Sequence, residues 1–305
     1  MRLLITGATG FVGREVLRQA HAGGHELRVL ARQASSASAR AAAGEWGAEV
    51  RAGNVLEPAS LAGAAAGCDA VIHLVGIISE VGRQTFENAH IRATENVLAA
   101  ARAAGVSRYV QMSALGTRAG AVSRYHQTKW AAEEAVRASG LPWTILRPSL
   151  IFGPEDHFVN LFARLSRWSP VLPVMGPGTA RLQPVAVEDV AAAFVRAVTE
   201  PSAVAVTLDV CGPERFTLPE LLREILNALG RRRALLHIPL PVARLQAGVM
   251  EALFPLLLRR APPLSRDQLL MLLEDNIGDS EGTRNLIGRP LIPFGEGIRR
   301  YLRRA

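Results

Sequence analysis

Short apolar runs alternate with helical patterns through the first half of the chain. Residues 2–6 are one such run, with Leu3, Leu4 and Ile5, and a helical pattern follows to about Gly23. Residues 26–31 predict a second strand through Leu27, Val29 and Leu30. A polar, Ala- and Ser-rich stretch over 33–44 leads to a third strand near 48–52. A short helix near 58–66 precedes a fourth strand, Ala70 to Val75. Helix 86–104 precedes a fifth strand, Tyr109 to Ser113, and helix 124–139 precedes a sixth, Trp143 to Leu146. Strands that are apolar throughout, alternating with helices, predict a parallel sheet covered on both faces.

After Pro148 the pattern changes. Prolines and glycines cluster up to Pro184, then helices (188–199, 217–229) alternate with short strands (205–210, 235–238). From 241 the chain reads as mostly helical and ends in a basic helix near 295–304. The boundaries this gives are a first domain over 1–153, with later strands interleaved from about 180–210, and a smaller region over 154–305. Within that region Leu245, Val249, Leu253 and Leu257 recur at helical spacing, one face of a helix. Packing onto the sheet domain is the expected use of this face. The alternative is an apolar surface that meets a membrane or an acidic subunit. Pro255 lacks an amide hydrogen and is expected to kink or end the helix.

Composition narrows the class. With 305 residues, 49% hydrophobic and 20% charged, at mean hydropathy +0.16, the chain has ample material for a core, which excludes disorder and collagen. No run approaches the length of a membrane span. The N-terminal run ends in a glycine turn, so no signal peptide is expected. Cys68 and Cys211 lie far apart without metal-ligand spacing and read as buried thiols in a reducing, cytoplasmic setting. The net charge of +8 is uneven: residues 231–305 carry 13 Arg against 7 acidic residues. The excess lies in Arg231-Arg232-Arg233, Arg259-Arg260, Arg299-Arg300 and Arg303-Arg304. It reads as a solvated surface, or as a face for an anionic membrane or acidic protein partner. Nucleic acid is not expected, since no recognition motif accompanies the charge.

Thr6-Gly7-Ala8-Thr9-Gly10-Phe11-Val12-Gly13 follows the first strand and opens a helix. Gly7 permits a tight turn, Gly10 lets the backbone approach a pyrophosphate, and Gly13 lets helix and strand pack closely. The helix N-terminus offers unpaired amides and a positive dipole end to phosphate. In this strand–turn–helix setting the motif predicts dinucleotide binding. An NAD site usually ends the second strand with an acid; this chain has Leu30-Ala31-Arg32. Arg32, with Arg14 in the first helical turn, favours NADP, with NAD the alternative.

Of 35 Lys and Arg, one is lysine, Lys129. It stands four residues after Tyr125 at a predicted helix start, so both side chains share one face. A nearby ammonium lowers a tyrosine pKa and makes Tyr125 a proton donor or acceptor for a carbonyl or alcohol. Ser113 ends the fifth strand, and Ser123 reads as the helix N-cap. His90 reads as a relay residue or as a helix-face histidine satisfied by a carbonyl. His73 and Trp130 read as structural, and Asp189 as a cap or tether. No cluster supports a metal.

These motifs, with Arg147-Pro148-Ser149-Leu150-Ile151-Phe152-Gly153-Pro154 and Gln183-Pro184-Val185-x-Val187-x-Asp189-Val190-Ala191, resemble the extended, epimerase/dehydratase-like branch of the short-chain dehydrogenase/reductase superfamily. Pro263-Leu264-Ser265-Arg266-Asp267-Gln268 with Asp275-Asn276 further resembles the subgroup of the nucleotide-binding accessory subunit of respiratory complex I. The resemblance implies an α/β fold: a Rossmann-type doubly wound parallel sheet with a small, mostly helical C-terminal domain. It implies that Ser113 hydrogen-bonds substrate, that Asn54 and Val55 border the adenine, that Leu74, Val75 and Gly76 lie beside the cofactor, and that Pro148 and Ser149 lie near the nicotinamide. The chain departs from the family in carrying Asn54 where many relatives have Asp, and His90 where an Asn supports a proton relay.

Two functions follow as expectations. One is an NADP-dependent oxidoreductase or epimerase acting on a small or quinone-related substrate. The other is a non-catalytic nucleotide-binding accessory protein of a membrane respiratory complex. The substrate is not readable.

Overall fold

The computed structural model describes residues 1–258 and 262–302, and the side chains of all of these except 255–258. Arg259-Arg260, Arg303-Arg304 and the Leu257 side chain lie outside the described residues. The first half builds β1 (Arg2–Thr6), α1 (Phe11–Ala22), β2 (Glu26–Ala31), α2 (Ala37–Trp46), β3 (Glu49–Ala52), β4 (Ala70–His73), α3 (Ala93–Ala103), β5 (Arg108–Met112), α4 (Arg124–Arg137) and β6 (Trp143–Pro148). Then come β7 (Ile151–Phe152), α5 (Phe158–Trp168), β8 (Val171–Met175), β9 (Arg181–Leu182), β10 (Val185–Ala186), α6 (Val187–Thr199) and β11 (Val206–Val210). The remainder is β12 (Phe216–Thr217), α7 (Leu218–Ala228), β13 (Ala234–Ile238), α8 (Leu240–Leu258), α9 (Arg266–Leu272), α10 (Ser280–Ile287) and α11 (Phe294–Leu302).

Seven strands form one sheet in the order β11-β6-β5-β4-β1-β2-β3, and every neighbouring pair is parallel. Leu3, Leu4 and Ile5 are all buried because helices cover both faces, which removes any polar alternation. Val16, Leu17, Val190 and Phe194 pack one face; Val97, Leu98, Tyr109 and Val136 pack the other. The chain order reverses at β1, between β4 and β2. That reversal opens a crevice at the carboxyl ends of the strands, where such sheets bind ligands.

A second core gathers Phe152, Val159, Leu172, Leu221, Ile225, Phe294 and Ile298 from β7, α5, β8, α7 and α11. Past residue 153 the chain does not stay in this lobe: β11 joins the sheet, and Val190, Phe194 and Leu286 of α6 and α10 join its core. Asp189, fully buried, tethers the C-terminal segment. Its Oδ2 accepts from the Ile292 amide at 2.8 Å. Its Oδ1 lies 2.6 Å from the Arg289 guanidinium, without a hydrogen-bond alignment.

Four local expectations are corrected. The stretch 33–44 contains most of a helix, α2, because Ser36 caps it and Gly47 ends it in the left-handed conformation. The helix expected over 58–66 is one 3₁₀ turn, Pro58–Leu61, stopped before Gly63 at φ +68°. Pro255 does not end α8, which continues to Leu258; one missing amide hydrogen does not stop a helix held by its other bonds. Finally, Leu245, Val249 and Leu253 do not pack on the sheet domain. They are 71%, 48% and 45% exposed, while Ala243 and Ala247 of the same helix are fully buried.

Candidate active site

The glycine turn fits a pyrophosphate by its own geometry. Gly7 sits at φ +76°, where a Cβ would press on the Leu74 carbonyl carbon at 3.0 Å and the Val75 nitrogen at 3.1 Å. A Cβ on Gly13 would lie 2.3 Å from the Gly7 oxygen, so α1 meets the turn only with glycine there. The first-turn amides of Phe11, Val12 and Gly13 have no carbonyl within the helix. No side chain caps them, and no acid stands in that turn. Gly153 makes room for the Phe11 ring, which would lie 3.0 Å from a Cβ at that position. Thr6 is buried, with Oγ1 2.5 Å from His73 Nδ1; Thr9 is half-buried.

Around the crevice the other expected contacts divide. Arg32, directly after β2, is exposed, whereas Arg14 is paired with Glu155. A cleft of about 630 Å³, lined by both residues of this pair, lies between α1 and α2. It contains none of Ser113, Tyr125 or Lys129, so it stands beside the chemistry. The Asn54 side chain is used locally, accepting from the Leu56 amide at 3.1 Å and donating to Glu57 at 2.8 Å. Val55 accepts from Asn96 Nδ2 through its carbonyl. Pro148 and Ser149 are buried, and the Ser149 hydroxyl donates to the Gln183 carbonyl.

Lys129 is 4% exposed. It reaches the ends of β4 and β5, where Nζ donates to the Met112 carbonyl at 3.1 Å. A Cβ on Gly76 would sit 3.0 Å from that ammonium, so the glycine admits the lysine. Burial lowers the Lys129 pKa to about 8, opposed by Glu133. Tyr125 stands at the start of α4, edge-on to Phe86, His90 and His126 with ring centroids 5.8, 5.2 and 5.1 Å away. Burial pushes its pKa above the ordinary tyrosine value. This corrects the expected lowering: desolvation of the phenol dominates, and the ammonium is engaged by Met112. Tyr125 is therefore protonated at neutral pH.

Ser113 is not joined to Tyr125 by a hydrogen bond. Its hydroxyl donates to Glu133 Oε1 at 2.6 Å. Glu133, one turn beyond Lys129 and fully buried, also takes Arg147 at 2.8 and 2.6 Å and Arg137 at 2.7 Å. Sequence reasoning missed this hub because a Glu on a helix ordinarily reads as surface. Of the two readings of His90, the geometry shows the histidine satisfied by a carbonyl. Nε2 lies 3.0 Å from the Ile77 carbonyl and Nδ1 2.9 Å from Thr128 Oγ1, and burial lowers its pKa to about 2.

The start of α4 is held from outside the sheet. Asp267 of α9 accepts from the amides of Arg124 at 2.7 Å and Tyr125 at 3.1 Å, and Ser123 caps the amide of His126 at 3.2 Å. Asn276 donates to the Leu115 carbonyl at 3.2 Å, and Glu274 pairs with Arg118 at 2.9 Å. The Asp267 and Asn276 motifs thus hold the start of α4, which carries Tyr125, and the loop before it.

Over residues 7–201 the sequence matches the NAD(P)H-binding family. The chain belongs to that family. It is 33% identical over 237 residues to a ceramide reductase of Caulobacter vibrioides, covering 78% of this chain and 73% of that one. It is 32% identical over 248 residues to NADH dehydrogenase (ubiquinone) 1 alpha subcomplex subunit 9 of Arabidopsis thaliana. That match covers 80% of this chain and 62% of the plant protein, so the chain spans less than two thirds of that relative. An NADPH-dependent quinone oxidoreductase from Escherichia coli, solved with NADPH, shares the fold at a TM-score of 0.76 and 23% identity, over 98% of this chain and 99% of that one. The match includes α1, whose first turn has no side-chain cap and no acid. Among the described residues, no group of three or more His, Cys, Asp or Glu is placed to hold a metal.

Proposed function

We propose that this protein is an NADP(H)-dependent oxidoreductase acting on the carbonyl or alcohol of a small, apolar or quinone-related substrate. The observation that carries this reading is Tyr125: protonated, half-buried, and with no hydrogen bond from its hydroxyl to any described residue. A nicotinamide cofactor, when bound, would supply the hydride. Tyr125 supplies the proton to the substrate oxygen, and Lys129 supplies positive charge and a donor beneath Gly76. Arg32, exposed and without a protein partner among the described residues, favours a 2′-phosphate. The reductase relative supports this reading.

A second reading rests on Ser113, whose hydroxyl is committed to Glu133 rather than held toward a substrate. In it, the site anchors nucleotide in an accessory protein, as the similarity to the plant complex subunit allows. One experiment separates the two. NADPH oxidation is followed with 3-oxo esters, long-chain ketones and quinones. Tyr125→Phe is expected to lower turnover by at least ~10²-fold, the scale of a general acid, with NADPH affinity unchanged. Tight NADPH binding with no turnover on any of these substrates would leave the accessory reading standing.

A further inference from the structure

The hydroxyl of Tyr125 makes no hydrogen bond to any described residue, so nothing at the tip of the ring fixes it. Its place is set by its backbone and by the rings around it. Tyr125 is the second residue of α4, inside the turn whose amides have no carbonyl within the helix. Helix ends fray unless such amides find other partners. Ser123 takes one of them, the amide of His126. The other two, of Arg124 and Tyr125, go to the two oxygens of a single carboxylate, Asp267, at 2.7 and 3.1 Å. That carboxylate lies 142 residues beyond Tyr125, in the first turn of α9.

Asp267 is itself held in place. Ser265 and Gln268 cap the start of α9 reciprocally, at 3.1 and 2.9 Å. Arg266 is bound twice to Glu251 of α8, through its amide and its guanidinium, both at 2.7 Å. Both chain neighbours of Asp267 are thus fixed, and α4 docks on a preorganised acceptor. The same contact reaches the rings around Tyr125 through Arg124. Its guanidinium donates to Glu80 Oε2 at 2.9 Å, and Glu80 Oε1 accepts from the Phe86 amide at 2.8 Å. Phe86 stacks on His90 with ring centroids 5.5 Å apart, and both rings meet Tyr125 edge-on. Arg124 is therefore a junction. Asp267 holds its main chain, and its side chain holds the loop that leads into Phe86.

We propose that Asp267 is a positioning residue for Tyr125: through the first-turn amides of α4 it fixes where the phenol stands in the crevice. The inference rests on the reading of Tyr125 as the proton donor, and it makes α9 of the C-terminal region a working part of the active site. Lys129 stands one turn further along α4 with its own bond to Met112, and the glycine turn belongs to α1. Asp267 therefore acts on proton transfer and leaves nucleotide binding alone.

The test pairs turnover with a direct view of the ring. NADPH oxidation is followed with whichever 3-oxo ester, ketone or quinone the wild type reduces fastest. A displacement of about 1 Å in the reacting geometry costs on the order of 10²-fold. Asp267→Ala, which loosens the turn in part, is expected to lower kcat at least ~10-fold with NADPH affinity unchanged. Asp267→Asn, whose amide oxygen still accepts, is expected to recover part of that loss. In parallel the full chain is made with 3-fluorotyrosine. It has three tyrosines, and the fluorine line missing from Tyr125→Phe is that of Tyr125. This line is expected to shift or broaden in Asp267→Ala and to move back in Asp267→Asn, while the lines of Tyr109 and Tyr301 stay. Asp267 is half-buried, so its truncation leaves no core cavity, and thermal unfolding checks the fold of both variants. A Tyr125 line unmoved in Asp267→Ala overturns the proposal. So does a wild-type kcat in Asp267→Ala where Tyr125→Phe lowers turnover by ~10²-fold. Turnover indifferent to Tyr125→Phe would instead overturn the proton-donor reading, and the fluorine line alone would then decide the hold of Asp267.

Discussion

Single residues decide the chemistry of the crevice, and lysine and arginine are not interchangeable there. Arginine provides every other basic side chain of this protein, yet Lys129 fills the slot under Gly76, where a compact ammonium fits and a planar guanidinium is too broad. The glycines at 7 and 13 and the Tyr125–Lys129 spacing were legible because each is a local requirement, met within one turn of backbone. The hold of Glu133 on Ser113 was not, since it joins residues 20 apart across α4 and β5. Arg32 is exposed just after β2, and its role is measurable. Arg32→Ala is expected to weaken NADP(H) binding by ~10-fold or more, the value of a hydrogen bond to a charged group, while NAD(H) binding changes little. Calorimetry on both nucleotides checks this; equal losses for the two would sink the assignment.

At the scale of elements, helix ends and helix faces carry the information that sequence patterns leave open. The start of α4 has its amides satisfied by Ser123 from within and by Asp267 from α9. The Ser123 cap was readable from its position before the helix. The Asp267 contact spans more than 140 residues, so its motif could be noticed but not placed. A carboxylate at a helix N-terminus gains from both the amides and the dipole. Asp267→Ala is expected to cost about 1 kcal/mol of stability, as for other lost caps, measured by urea unfolding. Asp267→Asn should recover part of the loss, because its amide oxygen still accepts. No change in either variant would mean that water replaces the carboxylate without penalty. For α8, periodicity in the sequence established a helical face, but not which side of it meets the body. Ala243 and Ala247 repeat at the same spacing as Leu245 and Val249, and only the tertiary structure shows that the small residues are the ones inside.

The whole molecule follows from sheet order, and here the first half of the chain was nearly transparent. Apolar strands separated by helices leave few ways to wind a parallel sheet, and the glycine turn marks β1, the strand at which the order reverses. The C-terminal half was harder to read, because its ties to the sheet, such as Asp189 to Ile292, are long-range and polar. That sheet also encloses histidines whose titration couples the fold to pH. Burial lowers His73 to about 3, His90 to about 2 and His126 to about 4. An exposed histidine titrates near 6.5. These folded-state values lie below that, so the unfolded chain binds protons first as pH falls. Stability contributed by neutral burial is thus complete above about pH 6.5 and is lost progressively below it. Each of the three removes on the order of 1 kcal/mol per pH unit in that window. Urea unfolding of the wild type at about pH 7.5, 6.5 and 5.5 is expected to show stability falling more steeply between the last two than between the first two. His126→Gln is expected to flatten that fall by the share of one proton. The same slope in the variant would mean that His126 is already protonated in the folded protein and that burial does not hold it neutral.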